Sequence, residues 1–292
     1  MSIKYFRQNF YIHPQSGTIF RVSKPFLGIP LLYSPQWEFL DVGKSLIASF
    51  FSKSIFRSVE VKMSSKTVKI VCISDTHGKT DEENFPQIPD GDILVHAGDI
   101  TRKGNVDDIS KFNAWLGTLP HQYKIVIAGN HDKMLDSNLD ETPIELAKEM
   151  KRKLTNCIYL ESNAVYILGM KFYGCPFTRS HGFNNAFQRP TEELKTKWEQ
   201  IPCDTDVLIT HMPPYGILDL GLGSKSPEEH LGCQYLLQEV IERVNPKLHV
   251  FGHIHGSYGR QEIGQTMYIN ASTVLNHDKD VFHQPIIFDY PL

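Results

Sequence analysis

A chain of 292 residues, 41% of them hydrophobic, is long enough for one large globular domain with an appendage. Its net charge of −3 excludes the global basic field that holds nucleic-acid polymers. Five scattered cysteines, Cys72, Cys157, Cys175, Cys203 and Cys233, never form Cys-x-x-Cys, which excludes a disulfide framework or zinc knuckle and fits a reducing, cytoplasmic setting.

Residues 1 to 66 hold nine Lys/Arg against three Asp/Glu, a balance of +6 that leaves −9 for the remainder. Up to about Val61 no helical or alternating period is sustained, and Pro14, Pro25, Pro30 and Pro35 interrupt the apolar runs. Residues 1–65 therefore read as a basic N-terminal extension, of low order or wrapped on a catalytic domain over residues 66–292. The segments "FLGIPLLY" and "SLIASFF" are too short to span a bilayer, so no transmembrane segment is expected.

From Val68 strands and helices alternate. "VKIVCIS" and "DILVHAG" predict buried strands, "NVDDISKFNAWLGTLP" a helix and "YKIVIAG" a third strand. "PIELAKEMKRKL" predicts a helix starting near Pro143, and "CIYLES", "AVYILG" and "KFYGC" an antiparallel stretch. "TEELKTKWEQ" predicts a helix capped by Thr191. "DVLIT", the helix "EHLGCQYLLQEVIERV", "KLHVFG", "TMYINAS" and "PIIFDY" complete an α/β pattern.

Five strand runs end in a polar cluster: "SDTHG" (Asp75, His77), "HAGDI" (Asp99), "IAGNHD" (Asn130, His131, Asp132), "LITHMPP" (His211) and "FGHIHG" (His253, His255). Ligands of open α/β sheets collect at the carboxyl ends of strands, where all of these residues lie. Asp75, His77, Asp99, Asn130, His211, His253 and His255 are too many for one metal ion and suit two. With Asp99 bridging, one ion takes Asp75, His77, Asp99 and a histidine, and the other takes Asp99, Asn130, His211 and a histidine. A mixed N/O set without thiolate points to two divalent or trivalent ions, manganese first, with iron or zinc as alternatives. Two cations against two aspartates leave an excess positive charge that attracts phosphate, and two metals activate a shared water for in-line attack. His131 is the candidate general acid for the leaving oxygen, oriented by Asp132 or Asp99; alternatively it ligates metal itself.

"DTHG", "GD", "GNHD", "TH" and "GHIH", in this order, resemble the signature of calcineurin-like metallophosphoesterases over about residues 68 to 290. The spelling "CISDTH", "ILVHAGD", "YKIVIAGNHD" and "LHVFGHIH" is similar to that of the animal metallophosphoesterase-domain-containing branch, whose members resemble cyclic-nucleotide phosphodiesterases. The resemblance implies a four-layer αββα sandwich, two mixed β-sheets flanked by helices. It implies His255 on the ion held by Asp75, His77 and Asp99, and His253 on the ion held by Asp99, Asn130 and His211. It also implies catalysis by His131 from outside the metal shell.

The expected activity is hydrolysis of a small phosphodiester, a cyclic nucleotide among the candidates, by a hydroxide on the dinuclear metal centre. A phosphomonoesterase, a phosphoprotein phosphatase and a weakly active metal-stabilised scaffold are the rival readings. The loop "PFTRSHGFNNAFQRP" lacks the tryptophans associated with the branch; in it Arg179, His181, Asn184 and Arg189 are candidates to grip a phosphate or a base.

Overall fold

The structure, a computed structural model, describes residues 67–180, 185–221, 229–276 and 280–292, with short backbone strands before residue 62. The chain divides into two units, Met1–Ser64 and Ser65–Leu292. In the first, Phe10–Ile12 pairs with Ile19–Arg21, and Phe39–Val42, Ser45–Ser49 and Ser58–Val61 form an antiparallel sheet.

The second unit is built on two mixed sheets. In the first, β1 (Thr67–Ile73), β2 (Ile93–Ala97), β3 (Tyr123–Ile127) and β4 (Ile158–Tyr159) run parallel. In the second, β5 (Asn163–Ile167) pairs antiparallel with β6 (Met170–Cys175), which begins a parallel run through β7 (Val207–Thr210), β8 (Leu248–Phe251) and β10 (Thr266–Asn270). At its far edge lies antiparallel β9 (Gly259–Ile263), and β11 (Ile286–Pro291) closes the first sheet antiparallel to β1.

Side chains of a strand alternate between faces, and here both faces are apolar. Ile70, Cys72, Val95 and Ile125 of the first sheet meet Phe172, Ile209, Val250 and Ile269 of the second in one buried layer. The opposite faces, Val71, Leu94 and Val126 on one side and Leu208 and Phe251 on the other, are covered by helices. Val106–Thr118 (α1) contributes Ile109, Phe112 and Leu116, and Ile144–Lys153 (α2) contributes Met150. Thr191–Glu199 (α3) contributes Leu194 and Trp198, and Gln234–Glu239 (α4), continued by a π-turn over Val240–Val244, contributes Leu236 and Val240. The result is the expected helix–sheet–sheet–helix sandwich. Trp198 is fully buried, so truncating it to Ala costs about 3–5 kcal/mol.

Three local expectations are corrected. Thr191 is the first residue of α3, and Pro190 occupies the cap position. Ile158–Tyr159 joins the first sheet in parallel, so only β5 and β6 form the antiparallel pair. The helix expected from Glu229 begins at Gln234, because the preceding amides are used elsewhere: Leu231 donates to the Asp219 carbonyl and Gly232 to the Asp219 carboxylate. No helix among the described residues is long and apolar enough to cross a membrane.

The parallel strands of both sheets end at one edge of the sandwich. There a bridge between Ser74 and Ser272 ties the exit of β1 to the exit of β10.

Candidate metal centre

The segments leaving β1 and β2 stay zipped beyond the regular ladder. The Asp75 amide donates to the Gly98 carbonyl (2.8 Å), His77 to Asp99 (3.0 Å) and Gly78 to Ile100 (2.8 Å). Asp75, His77, Asp99 and His253 have φ of 53°, 48°, 56° and 70°. Left-handed backbone costs a non-glycine residue about 1–2 kcal/mol, and the surrounding structure must hold it. Four of the predicted ligands are therefore strained into place. Room for their side chains comes from glycine: a Cβ on Gly129 would collide with Asp99 Oδ1 and lie 2.7 Å from His211 Nε2, and one on Gly252 would collide with the Asp75 carboxylate.

Asp75, His77 and His255 converge. His255 Nε2 lies 3.2 Å from Asp75 Oδ1 and 3.2 Å from His77 Nε2. The Thr101 carbonyl, 3.3 Å from His77 Nδ1, accepts from that nitrogen and so turns Nε2 inward as the ligand atom. Asp99, His211 and His253 form the second group, with one ligand atom from each within 4.8 Å of the others. His211 Nδ1 donates to the Ala97 carbonyl (2.9 Å), which leaves Nε2 facing Asn130 Oδ1 at 3.1 Å and Asp99 Oδ2 at 3.2 Å. The same Asp99 Oδ2 is 3.7 Å from His77 Nε2, so one carboxylate oxygen stands between the two groups. All seven predicted ligand residues come together. Asp75, His77, Asp99, Asn130 and His211 are buried, while His253 and His255 are partly open to solvent.

His131 sits at the rim, its ring edge-on to His77 with centroids 4.9 Å apart. Its amide donates to Asp99 Oδ1 (2.8 Å), and its Nδ1 donates to the Arg102 carbonyl (2.8 Å). That carbonyl orients the ring. The expectation that Asp132 does so is corrected, because the buried Asp132 carboxylate is consumed by the loop backbone. It accepts from the amides of Gly129 (2.8 Å), Ile100 (3.1 Å) and Thr101 (2.8 Å) and from the Thr101 hydroxyl (3.0 Å). Asp132 is a framework residue that fixes both metal-side loops.

The calcineurin-like phosphoesterase family profile matches residues 68–257, a span that holds every side chain of this cluster. The chain belongs to the calcineurin-like phosphoesterase family. It is 41% identical over 232 residues to a UPF0046 protein of Caenorhabditis elegans, covering 77% of this chain and 82% of the relative. It is 40% identical over 239 residues to metallophosphoesterase domain-containing protein 1 of Homo sapiens, covering 76% and 71%. The crystal structure of TT1561 of Thermus thermophilus has a TM-score of 0.45 and 14% identity, covering 70% of this chain and 88% of that one. Membership gives the chemistry in outline, metal-dependent hydrolysis of phosphoesters.

The side chains fit the two metal ions of the calcineurin-like phosphoesterases. Two imidazole nitrogens and a carboxylate oxygen aimed at one point form a donor set for a cation. The charge balance agrees. Burial would raise the Asp75 and Asp99 carboxyls, but His255 around the first and His211 around the second, with His77 beside both, hold each below the ordinary carboxylate range. Burial would likewise lower His211, yet Asp99 and then Asp75 push it up to about 9. His253 is pushed down to about 3 by burial and then by His211, which outweigh the raising effect of Asp99 and Asp75. Asp132 is raised to about 6 by burial and by Asp99.

Two positioning residues have no counterpart in the sequence reading. The Ser272 hydroxyl lies 2.9 Å from Asp75 Oδ2 and 2.8 Å from Asn270 Oδ1. Asn270 Nδ2 donates to the Ile254 carbonyl (2.9 Å) and so anchors the segment between His253 and His255. Both occur in "YINAS", where a strand alternation ends in small polar residues and gives only that weak signal.

Among the substrate-loop candidates of this phosphoesterase, His181 and Asn184 lie outside the described residues. Arg189 is engaged in the framework: its guanidinium lies 4.9 Å over the Phe177 ring, 3.7 Å from Asp136 Oδ2 and 2.6 Å from the Gln188 carbonyl. Arg179 lines a cavity beyond the metal cluster.

Proposed function

We propose that this calcineurin-like phosphoesterase hydrolyses phosphodiesters, cyclic nucleotides among them, at the Asp99-centred cluster. The observation that carries this reading is Asp99 Oδ2 standing between His77 and His211, with the half-buried His131 close to both His77 and Asp99. Asp75, His77, Asp99 and His255 would hold one ion and Asp99, Asn130, His211 and His253 the other. Bound there, the metals would supply activation of a water and neutralisation of the phosphoryl oxygens. The mixed N/O donors support manganese, with iron and zinc as the alternatives.

The chain's own residues supply the remainder. Asp75 and Asp99, kept ionised by the histidines around them, hold the negative charge that assembles the centre. His131, its Nδ1 donating to the Arg102 carbonyl, carries at Nε2 the proton that the departing alkoxide takes. Free thiols at all five cysteines support a reducing, cytoplasmic setting. Residues 66–292 would form the catalytic domain, so a chain started at Met63 should keep full activity.

The test is hydrolysis of a nitrophenyl phosphodiester beside the matching phosphomonoester, with manganese, for the intact protein and Asp99→Ala. Diester turnover abolished in the variant supports the reading. Faster monoester turnover would move the activity to phosphomonoesters, and no turnover on either ester despite bound metal would favour a scaffold.

A further inference from the structure

Beyond the metal cluster, a cavity of about 260 Å³ is lined by Arg179, Thr191, Tyr215, His230, Gln234 and Tyr235 among others. His230 in it is held as a functional imidazole is held. Its Nδ1 donates to Asp219 Oδ1 at 2.6 Å, so Nε2 is turned away from that carboxylate. Asp219 is buried, and its other oxygen accepts from the amides of Gly216 and Gly232, each at 2.9 Å. Three hydrogen bonds on a buried carboxylate serve to orient a single partly exposed ring.

The lining has a consistent chemistry. Arg179 donates only, Thr191, Tyr215, Gln234 and Tyr235 can all donate, and His230, whose Nδ1 faces Asp219, donates at Nε2 as an imidazolium. No Asp or Glu lines the cavity among the described residues, and the carboxylate beneath it already has both oxygens engaged. The Arg179 guanidinium makes no ion pair among the described residues, whereas Arg189, opposite it in the short parallel pairing of Thr178–Arg179 with Gln188–Arg189, does. A cavity that offers donors and a cation but no exposed carboxylate suits an anion. Its volume is below the roughly 300–1,000 Å³ of sites that enclose a whole drug-sized ligand, so it suits one group of a larger molecule or a small free anion. Two connections tie it to the metal centre: Tyr215 follows His211 by four residues, and the loop from Arg179 to Arg189 is anchored by the Ala186 amide on the Asn130 carbonyl (2.9 Å).

We propose that Arg179 and the Asp219-oriented His230 form a second phosphate subsite, which takes a phosphate group other than the one hydrolysed. This deepens the phosphodiesterase reading and rests on it where the phosphate belongs to the substrate. Free inorganic phosphate has the same chemistry and is the other source.

The experiment uses the full chain with manganese and two nitrophenyl phosphodiesters whose second ester arm ends in a phosphate or in a hydroxyl. The phosphate-tipped ester should have a KM about tenfold lower, the size of one charge-assisted hydrogen bond. That preference should collapse to less than about twofold in His230→Gln and in Arg179→Gln. If free phosphate is the occupant, the two esters behave alike, but inorganic phosphate, added with a chelator so that the metal centre contributes nothing, raises Tm for the natural chain and not for His230→Gln. Absence of a phosphate-tip preference together with equal phosphate responses in the natural chain and both variants would overturn the subsite. Turnover of neither ester would fail the phosphodiesterase reading alone, since the melting arm still decides the subsite.

Discussion

The Nε2 atoms of His77 and His255 lie 3.2 Å apart, with Asp75 Oδ1 3.2 Å from the second of them. Two neutral imidazole nitrogens at that distance need a proton or a cation between them. His211, pushed up to about 9 by Asp99 and Asp75 against its burial, holds a proton that a metal must displace. Metal affinity should therefore rise with pH up to about 9 and fall below it by about tenfold per unit for each proton released. Calorimetric titration with manganese in two buffers of different protonation enthalpy reads that proton directly. Binding without proton release contradicts the assignment of His211 as a ligand.

His131→Ala should lose about 10²- to 10⁴-fold in turnover and retain both metals, as expected for a general acid outside the metal shell. Asn130→Ala and His253→Ala should instead lose metal and activity together. Metal analysis of the purified variants, beside their rates, separates the two classes; a metal-depleted His131→Ala would place that residue among the ligands.

Ser272→Ala removes a hydroxyl from Asp75 Oδ2 and leaves a buried carboxylate with one contact fewer. Hydrogen bonds to charged groups are worth about 1.5–3 kcal/mol. The variant should bind manganese at least about tenfold more weakly, with Ser272→Thr, which restores the hydroxyl, weakened less. Equal affinity in Ser272→Ala and the natural chain would remove Ser272 from the positioning set.

Replacing His253 separates ring from backbone. With φ at 70°, alanine inherits the left-handed strain and glycine does not. His253→Gly should be more stable than His253→Ala by about 1 kcal/mol in metal-free melts, although both lose the ligand. The opposite order would show that the residue's conformation is not strained.

His249 is fully buried, 2.8 Å from the Thr210 hydroxyl, and pushed down to about 3 by burial. The unfolded chain binds that proton near pH 6.5, before the folded one does, so stability is full above about pH 6.5 and declines as pH falls toward 3. His96, pushed down to about 4 by burial, adds to the same acid limb. Thermal melts between pH 7.5 and 5 should give a falling Tm, with a shallower slope in His249→Gln.

The convergence of the candidate ligands was legible because each follows a strongly apolar strand, and the strand ends of an α/β sandwich share one edge. "VKIVCISDTH" and "LHVFGHIH" announce both the strand and what it delivers. Positions set by tertiary hydrogen bonding were not legible. Asp132 follows His131 in sequence, yet its carboxylate turns to the amides of Ile100, Thr101 and Gly129, which no local pattern encodes. The edge strand Gly259–Ile263 is mostly exposed, so it lacks the alternation that marks a half-buried strand. The Asp219–His230 pair is separated by a segment without periodicity, and only the fold brings its members together.

The division of the ligands between the two sheets also bears on how the protein is made. Asp75, His77, Asp99 and Asn130 leave strands of the first sheet, while His211, His253 and His255 leave strands of the second. A ribosome therefore delivers four of these seven side chains before any strand of the parallel run through β7, β8 and β10 exists. The first sheet gains its own antiparallel edge only when Ile286–Pro291 has been synthesised. An emerging chain thus offers a metal ion two carboxylates, an amide and one imidazole, an oxygen-rich set suited to abundant hard cations. The assigned set of two nitrogens and two oxygens for each ion arises only once both sheets have docked. On that assignment metal selection would be a property of the completed fold, and the cation that first meets the chain need not be the one it keeps.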